Sequence, residues 1–196
     1  AEPWASRLAD HWLGLAREQG AKVGGAQGRE AVLLLGSEWS NLESAFDLVL
    51  AVGPQDAIDA AIALTRLIRM AGLGSNRMLR DAKASSRAHG DDLRLALANE
   101  SLGDIALARS DHEAARQHYD QALPLYQKVG NVRGEANCIK GLGDIALASS
   151  EHEGARQRYE QALPLYQKLG FSPVGQKKER VRPMTDEQRA RSVMRG

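Results

Sequence analysis

A chain of 196 residues with 43% hydrophobic and 26% charged side chains has the ordinary composition of a globular protein and the length to bury a core. Its formal net charge of +1 singles out neither a nucleic acid nor a membrane surface as partner. The lone Cys138 excludes an intrachain disulfide and points to a reducing, cytoplasmic compartment, while apolar runs such as AVLLL at 31–35 are far too short to span a bilayer. The chain starts at Ala1 and lacks any nucleotide-binding or catalytic signature, so it is expected to be a piece of a larger protein.

In chain order, residues 1–52 read as a helical lead-in or cap. Pro3 suits a first turn, and Trp4, Leu8, Trp12 and Leu15 form an apolar stripe that ends near Gly20. KVGGAQG at 22–28 is a loop, and a second helix follows from about Arg29. Ser40 with Glu43 makes a capping box that opens NLESAFDLVLAV. Residues 53–90 remain helical, with Ala61, Ile62, Leu64, Leu67 and Ile68 at helical apolar spacing.

From there the chain repeats itself. Sliding it by forty residues aligns Leu102–Gly130 with Leu142–Gly170, and 23 of those 29 positions are identical. The units are 91–130 and 131–170, and the same offset carries Gly90 onto Gly130, which makes 53–90 a worn third copy. Each clear unit divides into two helices: about 93–108 and 111–129, then about 134–148 and 151–169. Ser110 with Glu113 and Ser150 with Glu153 form capping boxes at the internal boundary, and Gly130 and Gly170 end the second helices. Pro124 and Pro164 each delete one backbone donor within a helix and predict a bend. Ala115, Tyr119 and Ala122, like Ala155, Tyr159 and Ala162, recur at helical spacing. Gly103 and Gly143 permit close approach, and a hairpin so patterned needs a neighbour to cover it.

The residues A96…L102-G103…A115…Y119…A122-L123, repeated as A136…L142-G143…A155…Y159…A162-L163, resemble the tetratricopeptide repeat. The period is forty rather than thirty-four, which is similar to a longer-helix variant. Asn99 and Ile139 stand where the family often has Trp, and Ala106 and Ala146 where it prefers a larger residue. The resemblance implies an all-α, right-handed superhelical array of antiparallel hairpins that binds protein or peptide and performs no catalysis. It also implies a concave face at Leu97, Glu100, Asp104 and Leu107, and at Asn137, Lys140, Asp144 and Leu147. Asn137 would clamp a peptide amide, and the Asp104–Asp144 pair would favour a basic ligand.

The lead-in HWLGLAREQG…LGSEWSNLESAFDLVLA followed by hairpins is similar to the helical linker behind the nucleotide-binding engine of STAND-type, NB-ARC-like signalling ATPases. That likeness implies a sensor region in a larger regulator. A free-standing adaptor, with a plain helical cap over its first repeat, is the other reading.

Catalytic and metal chemistry find no support. His112-Glu113-Ala114-Ala115-Arg116 and its twin at 152–156 put Arg where a zinc site needs its second His, and no cofactor is expected. Cys138 reads as a small buried hydrophobe. Residues 91–169 carry 9 Lys or Arg against 12 Asp or Glu, whereas 170–196 carry 7 against 3. The basic tail 177–196, with a T-x-x-Q box at Thr185 and Gln188 opening a short helix, invites three readings: a plain linker, a segment that docks on the acidic array or drives self-association, or a nucleic-acid binder. The last is weakest, because acids interrupt the charge and no aromatic is present to stack on bases.

Overall fold

The computed structural model describes residues 3–51, 53–72 and 76–171, and every regular element among them is an α-helix. Ten follow in order: α1 (Pro3–Lys22), α2 (Gly28–Ser37), α3 (Trp39–Leu50), α4 (Pro54–Ala63), α5 (Thr65–Ala71), α6 (Arg77–Ala88), α7 (Asp92–Ala108), α8 (His112–Val129), α9 (Val132–Ala148) and α10 (His152–Lys168). Successive helices pack as pairs, α7 on α8 and α9 on α10, with α8 also against α9. The result is the all-α repeat array that the sequence implied. The predicted tail helix lies outside the described residues.

The turns explain the regular spacing. The amides of Asp91, Asp111, Asn131, Glu151 and Phe171 each donate to the carbonyl five residues back, on Ser86, Ala106, Tyr126, Ala146 and Tyr166. This closes each helix end and hands the chain to the next. The turns between hairpins place Gly90, Gly130 and Gly170 at positive φ, where a missing Cβ removes the steric cost. The turns within hairpins place Ser110 (φ 60°) and Ser150 (φ 62°) there instead.

The capping boxes expected at 110/113 and 150/153 are therefore not formed. Each serine ends the preceding helix in the left-handed region, and the capping residue comes one position later. Asp111 accepts from the Ala114 amide at 3.1 Å, as Asp91 does from Arg94 and Asn131 from Gly134. Glu151, one methylene longer, makes no such bond. The box at Ser40 also fails: α3 already runs through Ser40, whose carbonyl accepts from the Ser44 hydroxyl. Exchanging Ser110 or Ser150 for Gly relieves the left-handed serine and is expected to raise stability by about 0.5–1 kcal/mol. Denaturant titration checks this, and an unchanged midpoint would show that the serine conformation costs nothing.

α8 and α10 run through Pro124 and Pro164. Both prolines are exposed, and so are Asp120 and Glu160, the residues whose carbonyls lose a donor there.

Burial corrects the register of α1. Ala9, Leu13, Ala16 and Gly20 are its buried residues, with Val23 buried just past its end, while Leu8 is 50% exposed and Trp12 and Leu15 only partly buried. The side chain of Trp4 lies outside the described residues. Alanine makes the inner face because α1 packs closely: a Cβ built on Gly20 would fall 2.5 Å from the Ala63 carbonyl oxygen of α4. The core of α1–α6 continues into α7 through Leu102 and Ile105, and a second core joins α7, α8 and α9 around Tyr119 and Tyr126. Arg94 fastens the junction, with two 2.8 Å bonds to Asp59 of α4 and one of 2.9 Å to Asp91. Cys138 is fully buried, and burial raises its thiol pKa far above the usual range.

Candidate functional site: a tyrosine-braced groove

α7 and α9 form one wall of the array, and α8 and α10 supply tyrosines from behind. The Tyr119 hydroxyl donates to Asp104 at 2.8 Å, and its twin Tyr159 donates to Asp144 at 2.9 Å. Both bonds tie a second helix to the first helix of its own hairpin, so the repeat writes the same brace twice. A second set departs from the repeat. Tyr126 donates to Glu100, whose other oxygen accepts from the Asn137 amide at 2.8 Å, and the Asn137 oxygen in turn accepts from Tyr166 at 2.8 Å. That chain crosses from one hairpin to the next. It exists because Lys140 replaces the glutamate at the position equivalent to Glu100, and Asn137 replaces Leu97.

The carboxylates and the Asn137 amide that these tyrosines hold line a groove of about 580 Å³. Glu100, Asp104, Leu107, Asn137, Lys140 and Asp144 all line it, joined by Arg69 of α5 and Tyr166. Leu97 lies in an adjoining hollow of about 430 Å³ between α7 and helices α1, α4 and α5, bordered by Arg17 and Arg66 and sharing Arg69, Glu100 and Asp104 with the groove. Leu147 is elsewhere: it is 49% exposed in a separate depression against α10.

Charge in the groove is of both signs. The Lys140 ammonium sits 2.6 Å from Asp144, and the Arg69 guanidinium 3.8 Å from Asp104. Burial pushes the Glu100 carboxyl above the usual range, against the opposing hydrogen bonds from Tyr126 and Asn137. Burial also raises Asp104, with the Tyr119 hydroxyl and Arg69 acting the other way. The tyrosines are held protonated. Burial, with the bonded carboxylate of Asp144, lifts Tyr159 to about 12, and Tyr119 and Tyr126 are lifted further.

Two sequence expectations change in this light. Asn137 is committed on both sides of its amide, so it braces the groove and has little left for a peptide backbone. The Asp104–Asp144 pair is matched by two cations, so it is no bare acidic site. Gly103 and Gly143 do make room for Tyr119 and Tyr159, since a Cβ on either would lie 2.8 Å from a ring carbon. Ala115, Ala122, Ala155 and Ala162 are buried as the repeat pattern required.

Sequence reasoning missed Tyr126, Tyr166, Gly134, Gly141 and Arg69. The tyrosines were visible in principle, because both stand in the duplicated LPLYQK seven residues beyond the first aromatic. Arg69 carried no local signal, for it reaches the groove only through the packing of α5 on α7.

Paired helices stacked at a forty-residue period, braced from behind and hollowed along their first helices, define a helical-repeat array with an open groove. Residues 93–168 match the family model of the tetratricopeptide repeat, which supports placing this segment in that family. The search of curated proteins found no match. No helix among the described residues is long and apolar enough to cross a membrane.

Proposed function

We propose that α7–α10 form a non-catalytic module that binds a segment of a partner protein in the groove between Arg69 and Tyr166. The tetratricopeptide repeat is generally a protein-interaction fold, and one observation carries the reading here. Polar side chains that face a roomy, open groove are locked from behind by four tyrosine hydroxyls, so a recognition surface is set before a ligand arrives. Three carboxylates beside two cations suit an extended segment that carries both charges better than a uniformly basic one.

Lys140 is the residue to test, because it is exposed and its loss disturbs no tyrosine bond. Lys140→Glu should weaken binding of segments selected on a peptide array by tenfold or more in calorimetric titration, with helicity unchanged by circular dichroism. Equal affinities would place the site elsewhere. Charge reversal at Asp104 or Asp144 is a poorer test, since it also strips Tyr119 or Tyr159 of its acceptor.

The finer proposal is that this module is the sensor region of a STAND-type signalling ATPase. It draws on the lead-in's likeness to that family's linker and on the way α1 and α3 pack on α4, and α4, α5 and α6 on α7, which joins lead-in and repeats in one body. The three helices α4–α6 are read as the worn third hairpin, its first helix broken at Leu64. The alternative is a free-standing adaptor that assembles a complex. The full-length gene product separates the two: a P-loop domain upstream supports the sensor, and a product without one supports the adaptor.

A further inference from the structure

The hollow beside the groove holds cations that the neighbouring carboxylates leave largely unanswered. Arg66 and Arg69 stand three residues apart on one face of α5, and both line it. Arg66 is set in place from behind. Its guanidinium donates to the Val23 carbonyl at 2.8 Å, and its stem passes Gly24, where a Cβ would fall 3.2 Å from the Arg66 Cδ. Gly24 has a φ of 88°, so the turn after α1 favours glycine and keeps that room open. The bond to Val23 uses one N–H of the fork, and among the described residues no carboxylate pairs with Arg66. Arg69 is only loosely held, since its 3.8 Å approach to Asp104 is too long for a hydrogen bond. Arg17, at the rim, is taken by Asp56 at 2.6 Å. The carboxylates that border the hollow are engaged elsewhere, Glu100 by Tyr126 and Asn137, and Asp104 by Tyr119.

A guanidinium fixed in direction and left without a carboxylate is a preset receptor for one, because its planar fork matches a carboxylate edge to edge. Hollow and groove are continuous: Arg69, Glu100 and Asp104 line both, so a segment lying over α9 and α7 reaches α5 along one surface. Ala21, Ile62 and Leu97 supply apolar lining for the methylenes of a side chain that enters there. Charge changes along this path. α7 and α9 present Glu100, Asp104 and Asp144 with Lys140 among them, whereas α5 adds only cations. Both α1 and α5 precede the matched residues 93–168, so no repeat pattern announces this end of the site.

We propose, resting on the groove reading above, that the bound segment runs on past α7 into this hollow and sets an aspartate or glutamate side chain between Arg66 and Arg69, which fixes its direction across the array. The test uses the full chain and the peptides selected on the array. Those peptides should share an acidic residue whose exchange for lysine weakens binding roughly tenfold in calorimetric titration. Arg66→Glu should weaken the unaltered peptides by a similar factor with helicity unchanged, and that loss should shrink at least threefold with the lysine peptides. Arg66→Gln, which can still donate to Val23, should lose about threefold and keeps the test open to refutation if the charge reversal unfolds the chain. Lys140→Glu separates the two readings. Peptides that lose affinity with Lys140→Glu but bind both Arg66 variants like wild type would leave the groove standing and overturn this inference. A loss at Arg66 that is the same for acidic and lysine peptides would also overturn it, since the arginine then does not meet the acid. Peptides indifferent to both positions, or an array that selects none, would remove groove and hollow together.

Discussion

Gly141→Ala is expected to lower the thermal midpoint of the array by several degrees, with Gly134→Ala doing the same. A Cβ on Gly141 would stand 2.6 Å from the Tyr119 ring, and one on Gly134 would strike the face of Tyr126. Neither ring has an easy retreat. Tyr119 is 1% exposed and Tyr126 fully buried, and each hydroxyl is fixed, on Asp104 and Glu100. The added methyl must push α9 off α8 or break a buried hydrogen bond, a cost of about 1–3 kcal/mol. For a chain of this size that corresponds to roughly 3–10 °C in the midpoint. Gly14 is the control: it lies inside α1 with open space where a Cβ would go, so Gly14→Ala should stabilise by about 0.5–1 kcal/mol. The same logic ranks Gly143 below Gly141, because no helix among the described residues covers the outer side of the Tyr159 ring, into which it can yield. Thermal melts followed by circular dichroism decide the order. A Gly141→Ala protein that melts with the wild type would mean that the ring is not clamped.

The contrast between these glycines shows what sequence could and could not convey. Gly103 and Gly143 stand out because the repeat places them beside a leucine in both copies, and the hairpins they serve were legible for that reason. Gly134 and Gly141 lack glycine partners in the other copy, where Arg94 and Ser101 stand. They answer to Tyr126 and Tyr119 across an interface between copies, which a one-copy pattern does not encode. Capping was misplaced by one residue because serine is a good cap in general, and only the backbone shows Ser110 and Ser150 turned to positive φ. In α1 the large residues drew attention to the wrong stripe, while Ala9, Ala16 and Gly20 mark the face where α4 comes close. Most of the groove's first-helix positions were legible through the family resemblance. Its charge balance was not, since Arg69 arrives from a helix some thirty residues upstream of Glu100.

Glu100 is where groove and fold meet, and its two obvious substitutions should part company. Glu100→Ala removes the acceptor shared by the Tyr126 hydroxyl and the Asn137 amide, leaving two donors poorly solvated. The expected cost is about 2–3 kcal/mol, and slackening of Asn137 and Tyr166 should weaken groove binding as well. Glu100→Gln keeps an oxygen for one donor, and the tyrosine hydroxyl can turn to accept from the new amide. It also removes a carboxylate that burial holds above its ordinary value of 4.5. In that situation the native state takes up the proton before the unfolded chain does, so the wild type gains stability as pH falls through the raised native value toward 4.5 and loses it as pH rises. The glutamine variant has no such proton to bind. Its stability relative to wild type should therefore be greatest near neutral pH and shrink on acidification, with Asp104 common to both proteins and largely cancelling. Urea denaturation of the pair across the acidic range measures this directly. A difference that stays flat with pH would mean that Glu100 is solvated like a surface carboxylate, and with that the braced groove floor would lose its keystone.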